Sequence, residues 1–163
     1  MAKYSVAGML KHAMEIEESG QKFYETLAGR LEDARLKKIF TAMARQETGH
    51  FTFYKKLLEE LPPAPEIPRE EADSFDYKKH EMLEDRIFNR LEVVRKTARI
   101  NTLGDALVFM IDTEMDVVDY FENARRLINL QGQAMMEKII NEEKAHVRQL
   151  VDLRTHYKNT PLR

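Results

Sequence analysis

The sequence of 163 residues has no cysteine, no tryptophan and few of the residues that interrupt helices. Without cysteine the chain can form no disulfide, thiolate nucleophile, iron–sulfur cluster or cysteine-ligated zinc site. Glycine (6) and proline (5) are both scarce, and because these residues mark turns, their scarcity predicts long elements. We therefore expect an all-α fold rather than a many-stranded sheet.

Neither an excess of one charge nor a long apolar run is present. Lys and Arg number 26 against 28 Asp and Glu, a balance that argues against a nucleic-acid binder. The longest apolar run, 106–111, is far too short to span a membrane, and the first residues contain no continuous apolar segment. We expect a single cytoplasmic domain over 1–163 that binds neither nucleic acid nor membrane.

Helical periodicity predicts four long helices, at about residues 5–28, 33–61, 102–130 and 133–157. The candidate N-caps are Ser5, Asp33 and Thr102, the last paired with Asp105 in a capping box. The predicted stops are Gly29, Pro62, Pro63 and Gly132. Short turns join the first helix to the second and the third to the fourth, so each pair should form an antiparallel hairpin.

The crossover from 62 to 101 has a different character. Residues 62–75 are rich in proline and acids, which predicts an extended linker, whereas 76–96 carries apolar residues at helical spacing. We therefore predict an antiparallel four-helix bundle whose long crossover between helices two and three carries an extra helix. The apolar face of 76–98 predicts a homodimer or larger assembly, unless it packs on its own bundle. Its basic residues are expected to form a solvated face: Arg86, Arg90, Arg95, Lys96 and Arg99.

The inward stripe of each bundle helix is apolar or aromatic except near its middle. The interruptions are Glu17 in the first helix, Glu47 and His50 in the second, Glu114 in the third, and Glu143 and His146 in the fourth. Glu17 and Glu47 each lie about 15 residues, or ~22 Å, from the first turn, so they are level across the hairpin. Glu114 and Glu143 are level in the same way. Six ionisable side chains are thus predicted to meet inside the bundle.

Four buried carboxylates must take up protons or bind cations, because burying an isolated charge costs several kcal/mol or more. Two divalent ions would balance the four negative charges. The histidine three residues after Glu47 or Glu143 projects from the same helix face and offers one imidazole to each ion. Oxygen and nitrogen ligands without sulfur suit iron or manganese, with zinc as a further possibility.

A structural alternative stays open. The same residues could form buried Glu–His and Glu–Tyr hydrogen bonds that hold the helices in register. Tyr24 and Tyr54 are interpreted as core aromatics whose hydroxyls bind a carboxylate, an interpretation at least as good as a redox role. The remaining histidines, His12, His80 and His156, are expected at the surface, and the nine methionines are expected to fill the core.

The sequence resembles the ferritin-like diiron-carboxylate proteins of the rubrerythrin type in four segments: EESGQKFY (17–24), ETGH (47–50), TEMDVVDYF (113–121) and EKAH (143–146). The resemblance implies that Glu17, Glu47 and His50 hold one iron. It implies equally that Glu114, Glu143 and His146 hold the other, with Glu47 and Glu143 bridging and Tyr24 behind the ligands. Gln46 and Glu142, which precede the two motif glutamates, are expected to orient the opposite histidines.

Three departures from related proteins limit what the resemblance implies. Rubrerythrins commonly carry a second glutamate three residues after the third-helix ligand, and Val117 stands there, which puts their redox-linked ligand exchange in doubt. Thr48 replaces the haem-binding methionine of bacterioferritins, so we expect no haem. Without cysteine the chain has no rubredoxin domain, and a separate protein would have to donate electrons.

Three functions remain open at this point. The first is a redox enzyme that reduces hydrogen peroxide or dioxygen at two irons, each of which supplies one electron. The second is iron handling, in which the same site oxidises incoming Fe(II) for storage. The third is a non-catalytic helical scaffold. The two enzymatic hypotheses share the same six ligands, and the scaffold needs no metal.

Overall fold

The computed structural model describes residues 6–60, 76–96, 100–127 and 130–163. These residues form α1 (Val6–Arg30), α2 (Ala34–Glu59), α3 (Tyr77–Lys96), α4 (Leu103–Ala124) and α5 (Leu130–Tyr157), with a 3₁₀ turn at Arg125–Leu127. The all-α fold and the extra helix of the crossover are therefore confirmed. None of the helices in the described ranges is long and apolar enough to cross a membrane.

The packing of the helices gives the predicted topology. Helix α1 packs on α2, α4 packs on α5, and α3 covers the outer side of α4 with a lighter contact to α1. Asn123 near the end of α4 donates to the carbonyl of Asp76 at the start of α3, and Arg86 of α3 pairs with Asp116 of α4. Helices α3 and α4 are therefore antiparallel. Because α3 carries the chain back along the bundle, α2 and α4 run in the same direction.

Two of the predicted N-caps are formed by side chains as expected. Asp33 accepts hydrogen bonds from the amides of Arg35 and Leu36 at the start of α2. Thr102 accepts from the amide of Asp105 and donates to its carboxylate, which completes the capping box of α4. These caps satisfy amides that a helix leaves without partners in its first turn. Ser5 and the linker with Pro62 and Pro63 lie outside the described residues.

The helix boundaries predicted at Gly29 and Gly132 were wrong. Helix α1 continues through Gly29 to Arg30, and Gly132 lies in the first turn of α5. Helix α4 also ends earlier than predicted, at Ala124. A glycine within a helix costs only about 1 kcal/mol relative to alanine. Burial of a long apolar stripe outweighs that cost, so tertiary packing decides where these helices end.

The apolar stripes are buried and form two core clusters on either side of the polar layer. One cluster lies where α4 ends and includes Leu10, Ala13, Val117, Phe121 and Ile139. The other lies at the α1–α2 turn and includes Leu27, Phe40, Met43, Leu107 and Leu150. The methionines divide between these clusters and the surface, because Met82, Met115 and Met135 are exposed. The polar layer is thus closed off by apolar side chains above and below.

Helix α3 packs on its own bundle. Leu83 and Ile87 are completely buried against α1 and α4. The apolar face that suggested a dimer is therefore covered within the chain at these positions. The homodimer stays a prediction, and this face no longer supports it.

Arg86 is exposed, as expected for a solvated basic face, whereas Arg90 is partly buried. Arg86 and Arg90 both donate to the carboxylate of Asp116, whose side chain is 11% exposed, and Arg90 also donates to the carbonyl of Asp112. Asp116 points away from the bundle core, toward α3, so its charge is buried only because α3 covers it. The other basic residues of the cluster have no described side chains.

His80 is buried, contrary to the expectation of a surface position. Its ring stacks on Tyr120 with centroids 4.1 Å apart. Of the other two histidines, His156 is exposed as predicted, and His12 is partly covered by its contact with Glu84. Burial, with a smaller contribution from His12, lowers the pKa of His80 to about 4.

The free energy of unfolding is expected to fall by about 2 kcal/mol between pH 7 and pH 5 because of His80. The unfolded chain protonates this imidazole near pH 6.5, whereas the folded chain resists protonation until about pH 4. The unfolded state therefore binds the extra proton as the pH falls. Urea titrations of wild type and His80→Phe, which keeps an aromatic ring, should show this part of the pH dependence in wild type alone. Parallel pH profiles would contradict it.

The C-terminal residues 158–163 close the end of the bundle at the start of α4. The amide of Leu103 donates to the carbonyl of Thr160 (2.8 Å), and that of Gly104 donates to Lys158 (3.0 Å). Leu162 is buried in the core cluster beside the α1–α2 turn. The tail thus provides acceptors for amides that have none within the helix.

Gly104→Ala is expected to destabilise the fold by about 1–3 kcal/mol. A Cβ atom at this position would lie 2.5 Å from the carbonyl oxygen of Lys158, so the tail would have to move away from α4. Thermal unfolding should show a Tm lower by roughly 5 °C. Gly29→Ala is the control, because a Cβ at this position would meet nothing within 4 Å apart from the local backbone of its own helix, and the Tm should stay the same or rise. Equal effects of both substitutions would contradict the close approach.

Candidate metal centre

Six polar side chains from all four bundle helices converge in the layer between the two core clusters. They are Glu17 of α1, Glu47 and His50 of α2, Glu114 of α4, and Glu143 and His146 of α5, each at most 5% exposed. Their ligand atoms form two overlapping groups, each with all atoms within 4.8 Å of one another: Glu17, Glu47, His50 and Glu143; and Glu47, Glu114, Glu143 and His146. Glu47 and Glu143 belong to both groups.

Both histidines direct Nδ1 toward the carboxylates. Nδ1 of His50 lies 2.7 Å from Glu143 Oε1 and 3.4 Å from Glu17 Oε2. Nδ1 of His146 lies 3.1 Å from Glu143 Oε2 and 3.3 Å from Glu47 Oε1. Each histidine lies three residues after a glutamate of its own helix, a spacing that places both side chains on one face. Each group therefore contains one imidazole nitrogen among carboxylate oxygens.

The outer nitrogen of each imidazole is held from the opposite helix. Nε2 of His50 lies 2.8 Å from Glu142 Oε2, and Nε2 of His146 lies 3.0 Å from Gln46 Oε1. The cross-helix contacts expected for Gln46 and Glu142 are thus present. Such contacts fix the orientation of an imidazole ring and leave Nδ1 available to a cation.

The two tyrosines differ in their partners. Tyr24 donates its hydroxyl to Oε1 of Glu114, the type of contact expected for it. Tyr54 instead donates to Sδ of Met136 at 3.5 Å, so the expectation of a carboxylate partner was wrong. Tyr54 lies one helical turn beyond His50 and is buried in the apolar cluster above the polar layer. Its hydroxyl consequently reaches a thioether and not the acids.

The negative charges of the buried glutamates are stable only when protons or cations compensate them. Burial raises the pKa of Glu17 and of Glu114 well above the ordinary value. Burial also acts to raise the pKa of Glu47, but contacts with His146 and His50 lower it overall. For His146, contacts with Glu143 and Glu47 outweigh burial and raise its pKa to about 11. The carboxylates thus attract either protons or cations into the layer.

The ligand atoms fit a dinuclear metal centre better than a set of hydrogen bonds that only holds the helices in register. Glu17 Oε1 makes no hydrogen bond, and three further atoms make only ion-pair contacts that lack hydrogen-bond geometry: Glu47 Oε1, Glu143 Oε1 and His50 Nδ1. Each unpaired buried polar atom costs about 1–3 kcal/mol, so a layer built only for hydrogen bonding would pair them. Carboxylate oxygens with imidazole nitrogens and no sulfur suit divalent transition-metal ions. The residues present therefore fit two such ions.

A four-helix bundle with four glutamates and two histidines in its core has the fold and ligand set of the ferritin-like diiron-carboxylate proteins. A sequence model of the rubrerythrin family matches residues 8–154, and the chain belongs to that family. Its fold is similar to a crystal structure from Thermotoga maritima, described provisionally as a ferritin-like diiron-carboxylate protein. The TM-score is 0.69 and the identity 24%, over 94% of this chain and 96% of that one. No curated protein matches the sequence closely enough to be informative.

Proposed function

We propose that the protein is a non-haem diiron oxidoreductase that reduces hydrogen peroxide or dioxygen with electrons from a separate donor protein. The observation that carries this proposal is the overlap of two buried ligand groups through Glu47 and Glu143. Shared carboxylates are what two adjacent metal ions require. When bound, two irons would supply one electron each; with two protons from solvent, these two electrons would reduce hydrogen peroxide to two waters or dioxygen to hydrogen peroxide.

Each ligand has a separate task in this proposal. Glu47 and Glu143 would hold both metal positions, and the terminal ligands would complete each position: Glu17 with His50, and Glu114 with His146. The hydroxyl of Tyr24 keeps Glu114 in place by donating a hydrogen bond to Oε1. Gln46 and Glu142 hold the two imidazole rings from outside.

The surroundings of the layer favour a small oxidant. A narrow void borders the carboxylates between α1 and α4, and apart from the acids its lining residues are Ile16, Gly20, Met110, Thr113 and Val117. Val117 makes the wall apolar at the position where many rubrerythrins have a further glutamate. Gly20 leaves space above Glu47, whose Cδ lies 3.6 Å from where a Cβ would be. The void is about the size of one water molecule, so it excludes bulky substrates, and a peroxide or dioxygen molecule would enter only with a small shift of its walls.

Metal analysis followed by rapid-mixing spectroscopy tests the proposal. Protein purified from iron-supplemented cells should contain about two transition-metal ions per chain. After anaerobic reduction it should reoxidise faster with peroxide or dioxygen than in buffer alone, and its irons should stay bound. Reoxidation no faster than in buffer would refute the proposal. Oxidation of many equivalents of added Fe(II) per chain would favour iron handling.

A further inference from the structure

The two histidines have different partners behind them. His50 has a carboxylate, Glu142, at its Nε2, whereas His146 has the neutral amide oxygen of Gln46. A carboxylate accepts a stronger, charge-assisted hydrogen bond than an amide, and this increases the electron density at Nδ1. Lys138 lies 4.0 Å from the other oxygen of Glu142, but that pair is near the solvent and offsets little of the charge. His50 is therefore the stronger donor to a cation.

The carboxylates that belong to only one group, Glu17 with His50 and Glu114 with His146, also favour tighter binding at the His50 position. Glu114 accepts a hydrogen bond from the hydroxyl of Tyr24, which withdraws charge from that carboxylate. Glu17 occupies the corresponding place in the other group, and its Oε1 makes no hydrogen bond. Glu17 consequently offers more of its charge to a cation than Glu114 does. Glu47 and Glu143 are common to both groups and do not distinguish them.

We propose that the two metal positions are unequal: the position at His50 binds a divalent ion first and more tightly than the position at His146. This inference rests on the proposed function, because it concerns the same pair of ions. The chain would pass through a state with one ion, between Glu17 and His50. The ion beside Glu114 would be the one that exchanges with the solution.

Titration of the metal-free protein with Co(II) alone tests the order of binding. Calorimetry and the absorption of bound Co(II) should show two steps whose dissociation constants differ by at least about 10-fold. Crystals grown with one equivalent of Co(II) should show the anomalous signal at the His50 position. Equal constants, or a first ion at the His146 position, would overturn the inference.

Substitutions of Glu142 and Gln46 test whether their contacts with the histidines cause the difference in metal affinity. Glu142→Gln should weaken the tight step about 10-fold and leave the weak step unchanged, and Gln46→Glu should strengthen the weak step by a similar factor. Both side chains reach solvent, so neither substitution threatens the core. The combined swap should close or reverse the gap between the steps. A merely structural role would move both steps together.

Unequal binding at the two positions and binding of metal at all are tested by different outcomes of the Co(II) titration. If the two dissociation constants are equal and Glu142→Gln changes neither, the two positions do not differ in affinity. The protein would still bind two metal ions. Tyr24→Phe provides an independent check, because it removes the hydrogen bond to Glu114 and should change the dissociation constant of the weak step alone. Absence of Co(II) binding in wild type would refute the proposed function, and the inference with it.

Discussion

Glu143→Gln protein is expected to retain almost no bound metal, whereas Glu17→Gln protein should retain about one ion per chain. Glu143 contributes an oxygen to both ligand groups, and Glu17 contributes to one group only. Loss of a shared carboxylate therefore weakens two positions, and loss of a terminal one weakens a single position. Metal analysis after gel filtration, with wild type at about two ions, measures the difference.

Stability provides a second measurement of the same prediction. An ion that binds only the folded chain, at 1,000 times its dissociation constant, stabilises it by about 4 kcal/mol. A chelator should therefore lower the Tm of wild type and leave that of Glu143→Gln unchanged. Without metal, Glu143→Gln should be no more stable than wild type, because the substitution leaves the imidazoles of His50 and His146 without one of their carboxylate partners.

The control is Glu137→Gln, a substitution of an exposed acid on the same helix, which should keep both ions and the response to chelator. A Glu143→Gln protein that still holds two ions would refute the shared role of this carboxylate. A wild type with no metal and a Tm insensitive to chelator would support the scaffold, in which the layer only keeps the helices in register.

The polar layer was predictable because its signal lies within single helices. Each of the six residues is ionisable and lies on a stripe that is otherwise apolar, so it can be recognised from the sequence of its own helix. The number of residues to the nearest turn gives its height along the bundle. Gln46 and Glu142 were instead predicted from their place directly before the two motif glutamates, once the resemblance had identified those motifs. The periodicity of one helix and the length of one hairpin are local properties of the sequence.

The surroundings of α3 were not predictable in this way. Its apolar spacing shows that one face is buried, but it does not tell which helix that face covers or in what register. His80 is buried because it meets Tyr120, and Asp116 is buried because α3 lies across it. Both contacts join residues far apart in the sequence. The need for glycine at position 104 likewise arises from Lys158 at the other end of the chain.

Replacing Arg86 and Arg90 together by methionine is expected to destabilise the protein by about 3 kcal/mol. Methionine keeps most of each aliphatic stem, so the main loss is the positive charge beside Asp116. Asp116 would then be a buried carboxylate without a cation, since α3 still covers it. Urea or thermal unfolding should show the loss as a lower midpoint, with a Tm reduced by roughly 10 °C.

Adding Asp116→Asn to the double variant should restore most of the lost stability, because a neutral amide has a much smaller cost of burial than a carboxylate. Lys79→Met is the matched control: its pair with Asp119 is 3.8 Å apart and about half exposed on both sides, so its loss should change stability by less than about 1 kcal/mol. If the triple variant is no more stable than the double variant, the uncompensated charge of Asp116 is not the cause, and the arginines act by packing alone.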